Sequence, residues 1–280
     1  MQCELDNATI HYEQHGEGRP IIFLHGWTMD HRLEVADYEP IFASQPGWRR
    51  LYPDLPGMGR SVAKAGIRTQ DDVLAALLAF VDRVIPEERF VLAGTSLGGY
   101  LARAVAVRRR PRVAGLLLRV PCVVAEDAKR TRPDFHPLVR DEALLASLDQ
   151  TERAALGEVL VQAPEYIQAL GQKVHSLIEP AVEIAAPLAD EIRSDPGRYG
   201  FSFDLAEEEK SFTEPALIIA GRQDTVVGYR DALAILESYP HATFAILDRA
   251  DHSWPVESPN LLAPLVKDWL ARIAFAERRA

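Results

Sequence analysis

The stretch Phe90-Val91-Leu92-Ala93-Gly94-Thr95-Ser96-Leu97-Gly98-Gly99 decides how this 280-residue chain reads. Phe90 to Ala93 is a short apolar run of the kind that forms a strand buried on both faces. Leu97 to Arg108 continues with helical spacing, and Val113 to Val120 returns to an apolar strand. Ser96 therefore stands on the turn between a strand and a helix. The letters fit G-x-S-x-G, a turn that lifts the central hydroxyl above the strand ends. So sharp a turn strains the backbone of its central residue and leaves no room for side chains beside it, and Gly94, Gly98 and Gly99 meet that demand. Backbone N–H groups at the helix start point toward any negative charge that develops there. The same letters can also make a tightly packed turn with no chemistry, so partners must be sought.

A serine hydroxyl is a weak nucleophile at neutral pH and needs a base, which in turn needs an orienting group. Asp224, in Gly221-Arg222-Gln223-Asp224, follows the apolar run Ala216 to Ala220; His252 follows the run Thr243 to Leu247. In a parallel sheet both fall at the strand ends that carry Ser96. Alone, each has an ordinary reading, as a turn former or a surface loop residue. Together, in the order Ser, Asp, His, they point to Ser96, Asp224 and His252 as nucleophile, orienter and base. Asp251 adjoins His252 but its side chain is expected to point away from the imidazole, and Asp248 lies too close to the strand end. His31, His136, His175 and His241 are weaker candidate bases. In Phe23-Leu24-His25-Gly26-Trp27, the backbone N–H of Trp27 would join that of Leu97 as an oxyanion hole, with His25 and Gly26 holding the loop. The plainer alternative is that His25 and Gly26 only make a turn.

Working outward, the first half alternates apolar runs (Thr9 to Gln14, Ile21 to Leu24, Trp48 to Tyr52) with a helical pattern over Gln70 to Val84. That alternation predicts an α/β chain with a mostly parallel sheet and helices on both faces. From about Cys122 to Lys210 the pattern becomes helical segments broken by prolines. A helix over Tyr229 to Tyr239 and a closing helix from Pro259 to Phe275 follow. The expected division is a core of residues 1–121 and 211–280 with a helical cap inserted at 122–210. That insertion contains 18 acidic and 9 basic residues, so it carries nine of the ten net negative charges.

A net charge of −10 argues against nucleic acid as a partner. The basic run Arg108-Arg109-Arg110 is expected to cap the carbonyls of its own helix. Cys3 and Cys122 have neither disulfide-framework nor metal-ligand spacing, so no metal site is expected. No uncharged apolar stretch is long enough for a membrane span, and the first twenty residues lack a leader pattern, which predicts a cytoplasmic protein with no membrane partner.

Five segments carry a resemblance over nearly the whole length: Phe23 to Gly26, Tyr52-Pro53-Asp54-Leu55-Pro56-Gly57-Met58-Gly59-Arg60-Ser61, the serine turn, Gly221 to Asp224, and Asp251-His252. Together they resemble the cap-bearing α/β-hydrolase superfamily. The resemblance implies the α/β-hydrolase fold, a bracing role for Asp54 to Ser61, and no cofactor; Asp251 departs from it, since relatives commonly have Gly there. Tyr52 to Ser61, Gly94 to Arg103 and Gly221 to Arg230 are also similar to serine-dependent macrolide esterases, which open lactones of large antibiotics bearing a cationic amino sugar. An acidic cap could attract such a cation. The expected activity is hydrolysis of a small-molecule carboxylic ester or lactone through an acyl-enzyme. Carbon–carbon bond hydrolysis, thioester hydrolysis and a triad-retaining small-molecule receptor remain open alternatives. Oligomeric state is not legible.

Overall fold

A computed structural model of the chain describes residues 1–156, 158–209 and 211–278. Its strands are β1 (Gln2–Glu4), β2 (Ala8–His15), β3 (Arg19–Leu24), β4 (Trp48–Pro53), β5 (Val62–Ala63), β6 (Phe90–Thr95), β7 (Val113–Arg119), β8 (Ala216–Gly221) and β9 (Ala242–Leu247). They make one sheet in the order β1-β2-β4-β3-β6-β7-β8-β9, with β5 on the side of β2. β1, β2 and β5 pair antiparallel, and every pairing from β4 to β9 is parallel.

The central strands read as unbroken apolar runs because each buries both faces. Ile22, Leu24, Leu92, Leu116, Leu118 and Ile218 turn to one face, where α2 (Gln70–Val84), α3 (Leu97–Arg108) and α11 (Tyr229–Ala234) pack. Ile21, Phe23, Val91, Leu117, Leu217 and Ile219 turn to the other, under α1 (His31–Phe42) and α12 (Leu262–Glu277). The two-residue period thus sorts adjacent residues of one strand into opposite cores. The mostly parallel sheet with helices on both faces is as expected.

Several elements differ from expectation for identifiable reasons. Strands β1 and β5 are three and two residues long, too short to show a period. Helix α1 was not anticipated: charged residues interrupt its apolar positions, Pro40 lies inside it, and one of its buried residues is Glu34. The helix expected to reach Tyr239 stops at Ala234 and is followed by a 3₁₀ turn at Leu236–Ser238. The closing helix begins at Leu262, after a 3₁₀ turn at Pro259–Leu261.

Between β7 and β8 the described chain is helical: α4 (Glu142–Ser147), α5 (Gln150–Leu156), α6 (Pro164–Lys173), α7 (Glu179–Ile184), α8 (Pro187–Ser194), α9 (Pro196–Tyr199) and α10 (Leu205–Glu208). The expected end of this insertion at Lys210 lies outside the described residues. Prolines open α6, α8 and α9, where a missing N–H removes no helical hydrogen bond. A π-helical turn, Val174–Ile178, joins α6 to α7. The insertion packs in two ways. Val159, Leu160, Val161, Tyr166, Leu170 and Val174 form their own apolar cluster, whereas Ala189, Ile192, Tyr199 and Leu205 merge with the α2–α3 face of the sheet. Among the described residues no helix is long and apolar enough to cross a membrane.

Polar straps fasten the far end of the insertion. Arg108 and Arg110 do this work, in place of the expected capping: Arg108 pairs with Glu208 and lies over the Phe203 ring, and Arg110 donates to the carbonyls of Glu208 and Ser211, while Arg109 turns to α2 and pairs with Asp82 at 2.5 Å. Arg109 also touches its own helix, donating to Arg108 O. For Arg108 and Arg109 a carboxylate is a stronger acceptor than a helix-end carbonyl, whereas Arg110 spends its donors on carbonyls of the chain returning from α10. Beneath this run, Arg103 and Glu209 form a buried bidentate pair (2.8 and 2.6 Å), with the Tyr239 hydroxyl also on Glu209. Removing one partner leaves an uncompensated buried charge. Glu209→Leu is therefore expected to lower unfolding free energy by about 3–5 kcal/mol in urea titration, while Glu183→Gln, exposed on α7, changes it by less than about 0.5 kcal/mol.

Candidate active site

The serine turn is built by close backbone approach. A Cβ on Gly98 would lie 2.0 Å from Leu24 O, and one on Gly94 would lie 2.2 Å from Gly98 O. Only glycine lets the first turn of α3 rest on the ends of β3 and β6. Ser96 sits at φ +54°, ψ −116°, a strained conformation for a residue with a side chain. The loop after β7 grips it from both sides: Ser96 N–H donates to Arg119 O and Cys122 N–H donates to Ser96 O, each at 3.0 Å.

His252 Nε2 lies 3.0 Å from Ser96 Oγ, and His252 Nδ1 lies 2.9 Å from Asp224 Oδ2. The other Asp224 oxygen accepts the N–H groups of Val226 (2.8 Å) and Val227 (3.0 Å). A carboxylate so engaged has only acceptors to offer, so Nδ1 carries the proton and Nε2 faces the serine with its lone pair. Burial pushes the Asp224 carboxyl up, but His252 and the two amides outweigh it and hold it below its ordinary value. The histidine loop is pinned to the aspartate loop by Gln223 N–H to Ala250 O at 3.0 Å, and a Cβ on Gly221 would lie 2.6 Å from that same oxygen.

His25 is fully buried. Its Nδ1 lies 2.8 Å from Gly26 O, and its Nε2 accepts the N–H of Leu55 at 2.9 Å. Those partners require one donor and one acceptor, hence a neutral ring with the proton on Nδ1; burial lowers its pKa in the same sense. His25 thus ties the loop after β3 to the loop after β4. Gly26 brings that loop against the serine, with its would-be Cβ 3.4 Å from Ser96 Cβ. Leu97 opens α3, so its N–H has no intrahelical acceptor. Its side chain is buried under the turn.

The loop from Asp54 to Ser61 is the second brace. Asp54 accepts from His31 N–H (2.8 Å), His31 Nδ1 (2.8 Å), His11 Nδ1 (3.1 Å) and Arg60 N–H (2.9 Å). Burial opposes its ionisation, but the His31 hydrogen bond and charge and the Arg60 amide bring its pKa down to about 2. His11, His31 and Asp54 are dense enough to ligate a metal. Their facing atoms, however, are already within hydrogen-bond distance of one another, which accounts for the cluster without an ion.

Ser96, His252, Gly26 and Trp27 border a cavity of about 270 Å³ between the strand ends and the inserted helices. Sequence reasoning missed much of what surrounds it. Arg119 is buried behind the serine turn, donating to Thr95 Oγ1 (3.0 Å) and pairing with Glu34 (3.3 Å) and Asp37 (2.6 Å). From the insertion, Lys173 reaches Asp37 (3.7 Å) and donates to Ser253 O (3.0 Å), next to His252. An arginine ending the apolar run Gly115-Leu116-Leu117-Leu118-Arg119 was the available signal, since a cation there needs buried partners. Of the insertion's aromatic side chains Tyr199 lines the cavity, whereas Phe135 and Tyr166 belong to the insertion's own cluster, Phe201 and Phe203 stack beside Tyr100, and His136 is exposed.

Asp251 turns from the imidazole, accepting Ser253 N–H at 2.6 Å. Glu257 backs the same loop, accepting from Asp251 N–H (3.2 Å) and Tyr166 OH (3.4 Å). Burial, and then the neighbouring Asp251 carboxylate, hold the Glu257 carboxyl well above the usual carboxylate range. An acid whose folded pKa is raised binds more protons folded than unfolded, so its ionisation erodes stability as pH rises from about 5 upward. Glu257→Gln keeps the acceptor without the charge. Its melting temperature is expected to match wild type near pH 4 and to exceed it increasingly between about pH 5 and 8, as scanning calorimetry across pH would record.

The chain is similar to known proteins over nearly its whole length. A sequence model of the alpha/beta hydrolase family matches residues 21–265. A pimeloyl-[acyl-carrier protein] methyl ester esterase of Aeromonas salmonicida is 26% identical, covering 92% of this chain and 98% of its own. The corresponding esterase of Shewanella woodyi is also 26% identical, covering 94% and 98%. Among solved structures, an alpha/beta superfamily hydrolase from Oenococcus oeni superposes with a TM-score of 0.81 at 25% identity, covering 98% and 99%. The enol-lactonase of Burkholderia xenovorans shares the fold with a TM-score of 0.71 at 19% identity, covering 97% of this chain and all of its own.

Proposed function

The chain belongs to the alpha/beta hydrolase family, and from that premise we propose that it hydrolyses a carboxylic ester through an acyl-enzyme formed on Ser96. The observation that carries this reading is the continuous relay from Asp224 through His252 to Ser96 Oγ, opening on a cavity. His252 Nε2 takes the serine proton as Oγ attacks the ester carbonyl, and the resulting imidazolium is stabilised by the Asp224 carboxylate. The N–H groups of Trp27 and Leu97 receive the oxyanion. Collapse expels the alcohol, which takes the proton from His252; water, activated by the same nitrogen, then releases the acid and frees Ser96. No step calls for a metal or an organic cofactor.

Residues 122–210 act as the cap that sets substrate range. A cavity of about 270 Å³ lies just below the ~300–1,000 Å³ typical of sites for drug-sized ligands. That favours a compact ester over a macrolide, which would require the insertion to move aside. The relatives named as methyl ester esterases support an ester as the bond that is cleaved.

The test is a panel of methyl and nitrophenyl esters, lactones and thioesters assayed with wild type, Ser96→Ala and Asp224→Asn. Wild type should turn over esters, be labelled at Ser96 by a fluorophosphonate, and lose about 10³-fold or more in kcat in either variant. Full esterase activity in Ser96→Ala would refute the mechanism, and stoichiometric binding without multiple turnover would indicate a receptor.

A further inference from the structure

Among the described residues four cationic side chains line the cavity above Ser96, Arg119, Arg130, Lys173 and Arg193, and no aspartate or glutamate does. This reverses the expectation from the insertion's composition: the acidic excess lies elsewhere, and what faces the reacting serine is positive. A cation at a cavity wall recognises substrate only if the protein has not already neutralised it. Three of the four are neutralised. Arg119 is paired with Glu34 and Asp37. Arg130 is paired with Asp127 at 3.0 Å and donates to the carbonyls of Val124, Ala125 and Val226. Lys173 is held by Asp37 and Ser253 O.

Arg193 is different. It stands in the last turn of α8, with its guanidinium 5.5 Å from the centre of the Trp27 ring. Among the described residues it makes no hydrogen bond or ion pair. The ring contact holds the planar group without consuming its N–H donors, as a guanidinium on an aromatic face does. Trp27 belongs to the loop that faces Ser96 and itself lines the cavity. A fork of free donors on an exposed side chain thereby lines the same cavity as Ser96.

We infer that Arg193 recognises an anionic group on the substrate, so that the preferred ester carries a carboxylate in addition to the bond that is cleaved. This rests on the hydrolase reading above and adds the substrate's charge to it. A fork of guanidinium donors on a carboxylate gives both geometric register and affinity. The net charge of −10 would otherwise repel such a substrate, which makes a local cation in the cavity wall useful for capture.

The test uses matched nitrophenyl and alkyl esters in two arms, one with a terminal carboxylate on the acyl chain and one with it on the alcohol, each beside its neutral amide isostere. kcat/KM is measured for wild type, Arg193→Gln and Arg193→Lys, and calorimetry follows binding of the intact esters to Ser96→Ala and to Ser96→Ala/Arg193→Gln. In at least one arm wild type should favour the carboxylate by roughly tenfold or more, with the advantage shrinking in salt. Arg193→Gln should bring the ratio to within about threefold, and Arg193→Lys should restore part of it. Equal rates for charged and neutral esters in both arms, or a preference that survives Arg193→Gln, would overturn the inference. If wild type cleaves no ester at all, the hydrolase reading fails separately. Calorimetry then decides: tighter binding of the charged ester, lost with Arg193, sustains anion recognition, and equal binding refutes it.

Discussion

The contact on which the rest depends is a near-collision of backbones, Gly98 against Leu24 O, where a single Cβ would intrude to 2.0 Å. Because nothing occupies that space, the first turn of α3 rests on the ends of β3 and β6. Ser96 is thereby forced to positive φ and thrust clear of the sheet. The loops after β3, β8 and β9 then converge on it, each tied by backbone hydrogen bonds or by a buried side chain with a single consistent protonation state. His25 illustrates the economy of this arrangement: one neutral ring joins two loops through one donated and one accepted bond.

What could be read from the letters depended on whether the physical signal was local. The strands around Ser96 are apolar on both faces, so they stood out even though adjacent residues serve opposite cores. The glycines were legible because a sharp strand-to-helix turn demands them. Asp224 and His252 were legible because parallel strands bring their carboxyl ends to one edge. Helix α1 was not, since its buried face includes Glu34, whose presence makes sense only once Arg119 arrives from β7, 85 positions later in the chain. Lys173 and Arg193 were equally hidden. Their importance lies in which carboxylates reach them and which do not, and no periodicity encodes that.

Composition misled in an instructive way. The insertion carries almost all of the chain's net negative charge, yet its contribution to the cavity wall is cationic. Net charge averages over a solvated surface, where acidic side chains cost little. A pocket is decided by a handful of side chains and by whether their partners lie behind them in the wall. Arg119, Arg130 and Lys173 also show that a lining cation can be architectural: each fastens one segment to another, and together they link the serine turn, helix α1, the histidine loop and the insertion.

The π-helical turn at Val174–Ile178 has a consequence for how such a pocket can change. In an α-helix, residues five apart differ by ~140° in direction, so Lys173 and Ile178 would diverge. The i→i+5 bonding of the turn, seen in Glu179 N–H to Val174 O, stacks them on one side, and both line the cavity. Deleting one residue here lets the turn return to α-helical bonding with Lys173 and the former Ile178 four positions apart, ~40° in direction, so both still face the cavity. The insertion can therefore differ by one codon in length at this point and still present the same two side chains to the substrate.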